Sequence, residues 1–330
     1  MNTPGKFIMQ AIGPIVKYRL DIIAHSYPKA KDYIIILTTK ESYELYKEYH
    51  DFFEFFIIDE YRNNYPFSLE YEVFPNFKTE DEFFSNIKSF YNADNKRYFS
   101  YDIHRFIIPY LIEKNILNFA LVDTDVILNS DPTVLESFFN SIPKGTCYGP
   151  FMDKDSFFVP LKLDFWENEI QPYFNEIELR CPTINHIDGF IRGFNFNNKQ
   201  EAKLLFEIWN KAIEKLYTLK KYNSVVNTNG MFWHTEWVIA YIMQFYKHQL
   251  NYDFKDAHYL LMINGQRVGN HRTRPEDTLY LGERWPSLHM NYSDTSSIAN
   301  FVKNNKAQLK EYYGDTADIT DTHVYSKINF

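Results

Sequence analysis

The sequence is short of several things, and each shortage excludes a class of protein. Cysteine occurs only twice in 330 residues, as Cys147 and Cys181. The two make neither a C-x-x-C pair nor a zinc-ligand set, so no disulfide framework or zinc module is expected, and a reducing compartment suits the chain. Long apolar runs are missing, and none approaches the ~20 residues that cross a bilayer. Residues 1–8 lack the apolar core of a secretory signal. A cytoplasmic protein without a transmembrane segment is the expectation, and peripheral attachment to a membrane is compatible with it. A basic excess is missing as well. The formal net charge is −8, whereas proteins that grip a nucleic-acid backbone carry a basic surplus or stripe. No nucleic-acid partner is expected. Internal repeats and low-complexity linkers are also absent.

What is present fits a packed globular chain. Hydrophobic residues make up 45% and charged residues 24%, the usual balance for a chain with a core. Phe and Tyr number 30 and 26. The accompanying wealth of Asn, Ile and Lys suggests an AT-rich coding sequence, so aromatic content alone is not read as a sugar platform.

Strand and helix signals alternate through the first half, the pattern of a mostly parallel sheet. Strands are expected at Phe7–Ile12, Tyr33–Leu37, Phe52–Ile58 and Phe119–Val122. The run Tyr33-Ile34-Ile35-Ile36-Leu37 is continuous enough for a strand buried on both faces. Helices are expected from Gly13-Pro14 through Ala24, over Glu41–His50, Thr79–Tyr91, Tyr101–Lys114 and Thr133–Asn140, with a loop over residues 62–78. Later come helices at Ala202–Lys221 and His234–His248, short strands with Gly and Pro turns over residues 250–295, and a terminal helix at Phe301–Tyr312. The fold class read from this order is α/β: a mostly parallel central sheet flanked by helices, with an elaborated C-terminal half. One domain over residues 1–330 is the simplest organisation.

The chemistry concentrates at Asp123-Thr124-Asp125. Two carboxylates at i and i+2 on an extended segment point the same way. Here they lie between Phe119-Ala120-Leu121-Val122 and Val126-Ile127-Leu128, where an isolated charge is costly. A positive group belongs beside them, and a hard divalent cation such as Mn²⁺ or Mg²⁺ suits oxygen ligands. The carboxyl end of a strand in an open α/β sheet is also where ligands bind. The plainer reading is that either aspartate caps a turn or pairs with Arg105.

Asn118 through Leu128 resembles the D-x-D segment of glycosyltransferases with the GT-A (Rossmann-like) fold, and is most similar to families 8 and 6. Tyr101-Asp102-Ile103-His104-Arg105-Phe106 resembles the arginine-bearing helix start upstream of that motif in family 8. The resemblance implies that Asp123 and Asp125 hold Mn²⁺ or Mg²⁺, and that the metal binds the diphosphate of a nucleotide sugar, with a UDP-hexose the expected donor. Donor contacts would come from Ala11, Ile12, Arg105, Asp123, Thr124 and Asp125. It divides the chain into a nucleotide-sugar-binding half, residues 1–130, and an acceptor-side half, residues 131–330. The acceptor would be a glycan or another hydroxyl compound, and the anomeric configuration would be retained.

Further segments carry the same resemblance. Ile187 to Asn197 is similar to the glycine-bearing acceptor-side strand, which offers Asp188 as a catalytic candidate. His234-Thr235-Glu236-Trp237 resembles the segment whose glutamate lies near the anomeric carbon, which offers Glu236. Leu288-His289-Met290-Asn291 resembles the late histidine that completes the metal shell, which offers His289. In family 8 a glycine and a Lys-Pro pair follow that histidine. Tyr292-Ser293-Asp294-Thr295 supplies neither, so no diphosphate-binding lysine is assigned.

Each candidate has a plainer role. Glu236 suits a helix start, where the dipole favours a carboxylate. Asp188 precedes Gly189 and suits a turn. His289 suits an ordinary structural histidine. His271, Arg272 and Arg274 suit a solvated loop better than a phosphate site, and Trp233, Trp237 and Trp285 suit the core. Two rival functions are a phosphatase of the haloacid dehalogenase type, which also uses D-x-D after an apolar strand, and a non-catalytic nucleotide-sugar-binding relative. The phosphatase motif belongs on the first strand, whereas about a third of this chain precedes Asp123.

Overall fold

The computed structural model describes residues 5–11, 20, 24, 30–61, 101–122, 126–128, 132–149, 191–218, 234–256, 260–263, 266–270, 287–291 and 307. The expected loop over 62–78, the helix over 79–91 and most of the terminal helix lie outside these residues, as do Ile12, Asp123, Thr124, Asp125, Asp188, Cys181, Trp233, Trp285 and the basic run from His271.

Seven strands form the main sheet: β1 (Lys6–Gln10), β2 (Ile34–Thr38), β3 (Glu54–Ile57), β4 (Asn118–Val122), β6 (Thr146–Gly149), β7 (Ile191–Asn195) and β8 (Asp253–Asp256). Their order is β3-β2-β1-β4-β7-β6-β8. β1, β2, β3 and β4 are mutually parallel, β7 runs antiparallel to both β4 and β6, and β6 is parallel to β8. The sheet is therefore mostly parallel, with one reversed strand. It draws strands from both sides of residue 130.

The apolar runs explain the middle of this sheet. Phe7, Ile8, Met9, Ile34, Ile35, Ile36, Leu37, Phe119, Ala120, Leu121 and Val122 are fully buried, as strands covered on both faces must be. Side-chain alternation sorts them. One face holds Phe7, Met9, Ile34, Ile36, Ala120, Val122 and Tyr148, packed with Leu20, Ala24, Tyr46 and Phe53. Leu135, Phe138 and Phe139 of α5 (Pro132–Ser141) close the same face. The helix expected to end near Ala24 is seen here as helical residues Leu20 and Ala24.

The opposite face carries Leu121, Phe119 and Phe194. Over it lie the 3₁₀ segment Tyr101–Ile107, α4 (Ile108–Glu113), α6 (Lys199–Thr218) and α7 (His234–Leu250). Phe194 stacks on Phe196 with ring centroids 5.3 Å apart and meets Tyr246 of α7 at 5.9 Å. No helix among the described residues is long and apolar enough to cross a membrane.

Three differences from the sequence pattern have clear causes. The helix expected over Tyr101–Lys114 is 3₁₀ as far as Ile107 and α-helical only afterwards. Pro109 stands in the first turn of α4, where its missing N–H costs nothing, but it blocks an α ladder from Arg105 onward. The helix expected from Ala202 starts at Lys199, because Asn198 Oδ1 accepts the Glu201 N–H at 2.9 Å and caps it. β6, Thr146-Cys147-Tyr148-Gly149, has no apolar run to announce it. Its Cys147 is a buried free thiol.

A close approach decides one residue of β7. Gly193 lies opposite Tyr148 in the ladder. A Cβ at 193 would fall 1.9 Å from Tyr148 Cε2. The ring cannot yield easily: Tyr148 is fully buried, meets Phe138 edge-on at 5.8 Å, and donates its hydroxyl to Asn118 Oδ1 at 3.1 Å. Gly193→Ala is expected to cost about 1–3 kcal/mol by overpacking. The check is a lowered denaturant midpoint at unchanged slope.

A second sheet has the order β10-β9-β11-β5, with β5 (Val126–Leu128), β9 (Leu260–Ile263), β10 (Gln266–Asn270) and β11 (Ser287–Asn291). β9 and β10 pair from Ile263↔Gln266 outward. The two residues between them, Asn264-Gly265, are the pair that two-residue hairpins prefer.

Candidate active site

The strand directions place the described neighbours of several sequence candidates at one end of the main sheet. In the order β3-β2-β1-β4 the chain winds outward from β1 on both sides. The crevice where such winding reverses, at the strands' carboxyl ends, is the ligand site of open α/β sheets. Here it lies between the ends of β1 and β4, whose last register pair is Met9↔Val122. The next residue after Val122 is Asp123. Ala11, just past β1, is buried, and both its backbone N–H and its carbonyl are tied to β2. Its N–H donates to Leu37 O at 2.9 Å, and its carbonyl accepts from Thr38 Oγ1 at 2.6 Å.

The acidic triplet also joins the two sheets. Val122 ends β4 in the main sheet and Val126 begins β5 in the second. The chain crosses in the three residues between, which are outside the described set. On the far side of that crossing, Val126 pairs with His289 in the β5–β11 ladder. The backbone of His289 is thus fixed one residue from Asp125 by register.

β7 begins at the same end, three positions after Asp188, which is itself outside the described residues. It runs antiparallel to β4, and its first residue, Ile191, pairs with Val122. The start of β7 therefore lies beside the end of β4. The start of α7, which carries Glu236, lies at that end too. Its last residue, Leu250, lies three positions before Asp253, which starts β8. β8 runs in the same direction as β4, so its start is at the opposite, lower end of the sheet. Asn251, at φ 55°, makes the left-handed turn between them. A helix of 17 residues spans about 25 Å, so the first turn of α7, with Glu236, stands at the upper end. Position 236 falls on the stripe of Ile239, Met243 and Tyr246, which are buried.

Arg105 lies inside the layer over that face. It is buried, its Nε donates to Asn210 Oδ1 of α6 at 2.9 Å, and its guanidinium carbon stands 4.4 Å from the Phe106 ring centroid. It ties the 3₁₀ segment to α6. His104 beside it is buried too. Sequence reasoning did not single out Arg192, buried on β7. The available signal was a cation inside an otherwise apolar strand, Ile191-Arg192-Gly193-Phe194.

The donor set suits a divalent cation: two carboxylates and an imidazole offer oxygen and nitrogen ligands of the type Mn²⁺ accepts. Ala11, the end of β4, the start of β7, the first turn of α7 and the start of β5 with its partner β11 lie toward one end of the described structure, while Arg105 sits within the adjoining helical layer; Asp123 and Asp188 are outside the described residues. Among the described residues no three His, Cys, Asp or Glu side chains group as a metal site; Asp123 and Asp125 are outside that set.

No family model matches the sequence, and no curated protein is significantly similar to it. Among solved structures, the apo form of mouse xyloside xylosyltransferase 1 aligns with a TM-score of 0.45 and 12% sequence identity, over 87% of this chain and 97% of that one.

Proposed function

We propose that this chain is a metal-dependent glycosyltransferase of the GT-A type. It would move a sugar from a nucleotide donor, a UDP-hexose foremost, to a hydroxyl acceptor such as a glycan, with retention of anomeric configuration. The observation that carries the reading is the place of Asp123-Thr124-Asp125. The triplet follows β4 where the strand order reverses, beside the end of β1, and leads directly into β5 of the second sheet.

The residues divide the work as follows. Asp123, Asp125 and His289 would hold Mn²⁺ or Mg²⁺. The bound ion supplies positive charge against the charge growing on the nucleotide diphosphate as the sugar leaves. Ala11, Ile12 and Thr124 would line the nucleotide. Arg105, inside the helical layer, would add a fixed positive field. Glu236, in the first turn of α7, sits where the helix dipole favours an ionised carboxylate, suited to face positive charge developing at the anomeric carbon. Asp188 would orient the acceptor hydroxyl. The chain is taken as one catalytic unit, since the main sheet is shared between its two halves.

The test is nucleotide release from a panel of nucleotide sugars with Mn²⁺, with and without EDTA. Release that requires metal and rises with an acceptor is expected. No turnover of any donor, with efficient cleavage of phosphomonoesters, would favour the phosphatase and refute the glycosyltransferase.

A further inference from the structure

A side chain fastens the end of β1 to β2, where a ladder would use backbone alone. In an extended residue the N–H and the carbonyl point to the same side of the strand, and successive residues alternate. Ala11 turns both groups toward β2. Its N–H reaches Leu37 O at 2.9 Å, an ordinary ladder bond, and its carbonyl takes the Thr38 hydroxyl at 2.6 Å. Thr38 and Ala11 are both fully buried, so this bond is made away from bulk water.

Thr38 stands on an anchored stretch. Thr39 caps the helix Lys40–Leu45 by accepting the Ser42 N–H at 3.3 Å, and Asp59 Oδ2 accepts the Lys40 N–H at 2.7 Å. The rest of β2 is Ile34-Ile35-Ile36-Leu37, and valine in place of Thr38 would suit such a strand as well. The hydroxyl therefore calls for a reason beyond packing.

The peptide plane that leaves Ala11 supplies one. In a planar trans peptide the amide N–H opposes the carbonyl. A carbonyl drawn toward β2 thus turns the donor edge of that peptide toward β4, whose last residue, Val122, pairs with Met9. That side is the crevice between β1 and β4 where the strand order reverses.

We propose that Thr38 is a positioning residue: through the Ala11 carbonyl it aims this backbone donor into the crevice, at the nucleotide of the sugar donor. The assignment rests on the glycosyltransferase reading, and Thr38 acts through the peptide rather than on the ligand.

The test compares two variants of the full chain at a temperature where both are folded. Thr38→Val keeps the shape and loses the hydroxyl, whereas Thr38→Ser keeps the hydroxyl. Thr38→Val is expected to raise the donor KM about 10-fold with kcat unchanged, the scale of one lost hydrogen bond felt equally in ground and transition states. Thr38→Ser is expected to stay within about 3-fold of the wild-type KM. A role confined to the fold would lower the Tm of Thr38→Val and leave its KM alone. An unchanged donor KM in Thr38→Val, a fall in its kcat alone, or a Thr38→Ser no better than Thr38→Val overturns the proposal. Should Thr38→Val not fold, Thr38→Cys takes its place under the same readings, because a thiol is a weak donor. A wild type that turns over the donor no better than Thr38→Val does refutes the positioning role alone. A wild type that turns over no nucleotide sugar refutes the glycosyltransferase reading with it.

Discussion

Asp125→Ala is expected to reduce metal-dependent turnover of the nucleotide sugar on the order of 10³-fold, the scale set by deleting one group that stabilises charge in a transition state. The protein should nonetheless stay folded. Both flanks of the triplet are anchored independently of the carboxylates, through the β1–β4–β7 pairing on one side and the β5–β11 ladder on the other. Removing one of two repelling carboxylates relieves strain that function tolerates. The metal-free Tm should therefore hold or rise. What disappears is linkage: a ligand at a hundred times its Kd adds about 2.7 kcal/mol to the folded state. Wild-type protein should thus melt higher with Mn²⁺ and nucleotide diphosphate, and the variant should not. An Asp125→Ala protein that keeps the full metal-dependent rise would refute the proposed metal bridge.

Alkaline pH is expected to unfold the protein steeply. Burial pushes the hydroxyls of Tyr46, Tyr148, Tyr246 and Tyr252 well above the ordinary tyrosine range. Tyr246 donates to Glu201 O at 2.5 Å, and Tyr252 donates to the Glu201 carboxylate, which further disfavours ionisation of Tyr252. An unfolded chain releases these protons near pH 10. The folded pKa values lie above the unfolded ones, so the stabilisation is complete below pH 10 and is lost as pH rises beyond it. Each group contributes a slope of about 1.4 kcal/mol per pH unit, and the four together about 5. Unfolding curves between pH 9 and pH 11.5 check this, alongside tyrosinate absorbance. Stability that stays level through pH 11 would contradict it.

The central strands were legible because their residues face apolar layers on both sides. Tyr33–Leu37 and Phe119–Val122 could hardly be anything else, and β2 and β4 occupy them to within a residue. β6 was not legible: Thr146-Cys147-Tyr148-Gly149 is too short and mixed to show a period. Nor was the reversal at β7, since a strand's direction depends on partners distant in the chain. The proposed site stands out in the sequence as the place where an apolar strand meets two carboxylates. That the chain then changes sheets, and that β11 returns roughly 160 residues later to pair beside it, is a matter of long-range pairing. Local sequence does not encode it. Arg192 escaped notice for the related reason that a cation in a strand looks like surface until both of its faces are known to be covered.

That return has a consequence for synthesis. β5 sits at the edge of its sheet with β11 as its neighbour. At ~5–20 residues per second, a ribosome needs about 8–30 s to travel from Leu128 to Ser287. Throughout that interval the nascent chain can assemble β1 to β4, yet the three-residue crossing hangs from them on one side alone. The strand after the acidic pair is thus paired only late in translation. The emerging polypeptide carries an unpaired strand edge beside two like charges, and those charges hinder wrong pairing there until the right strand arrives.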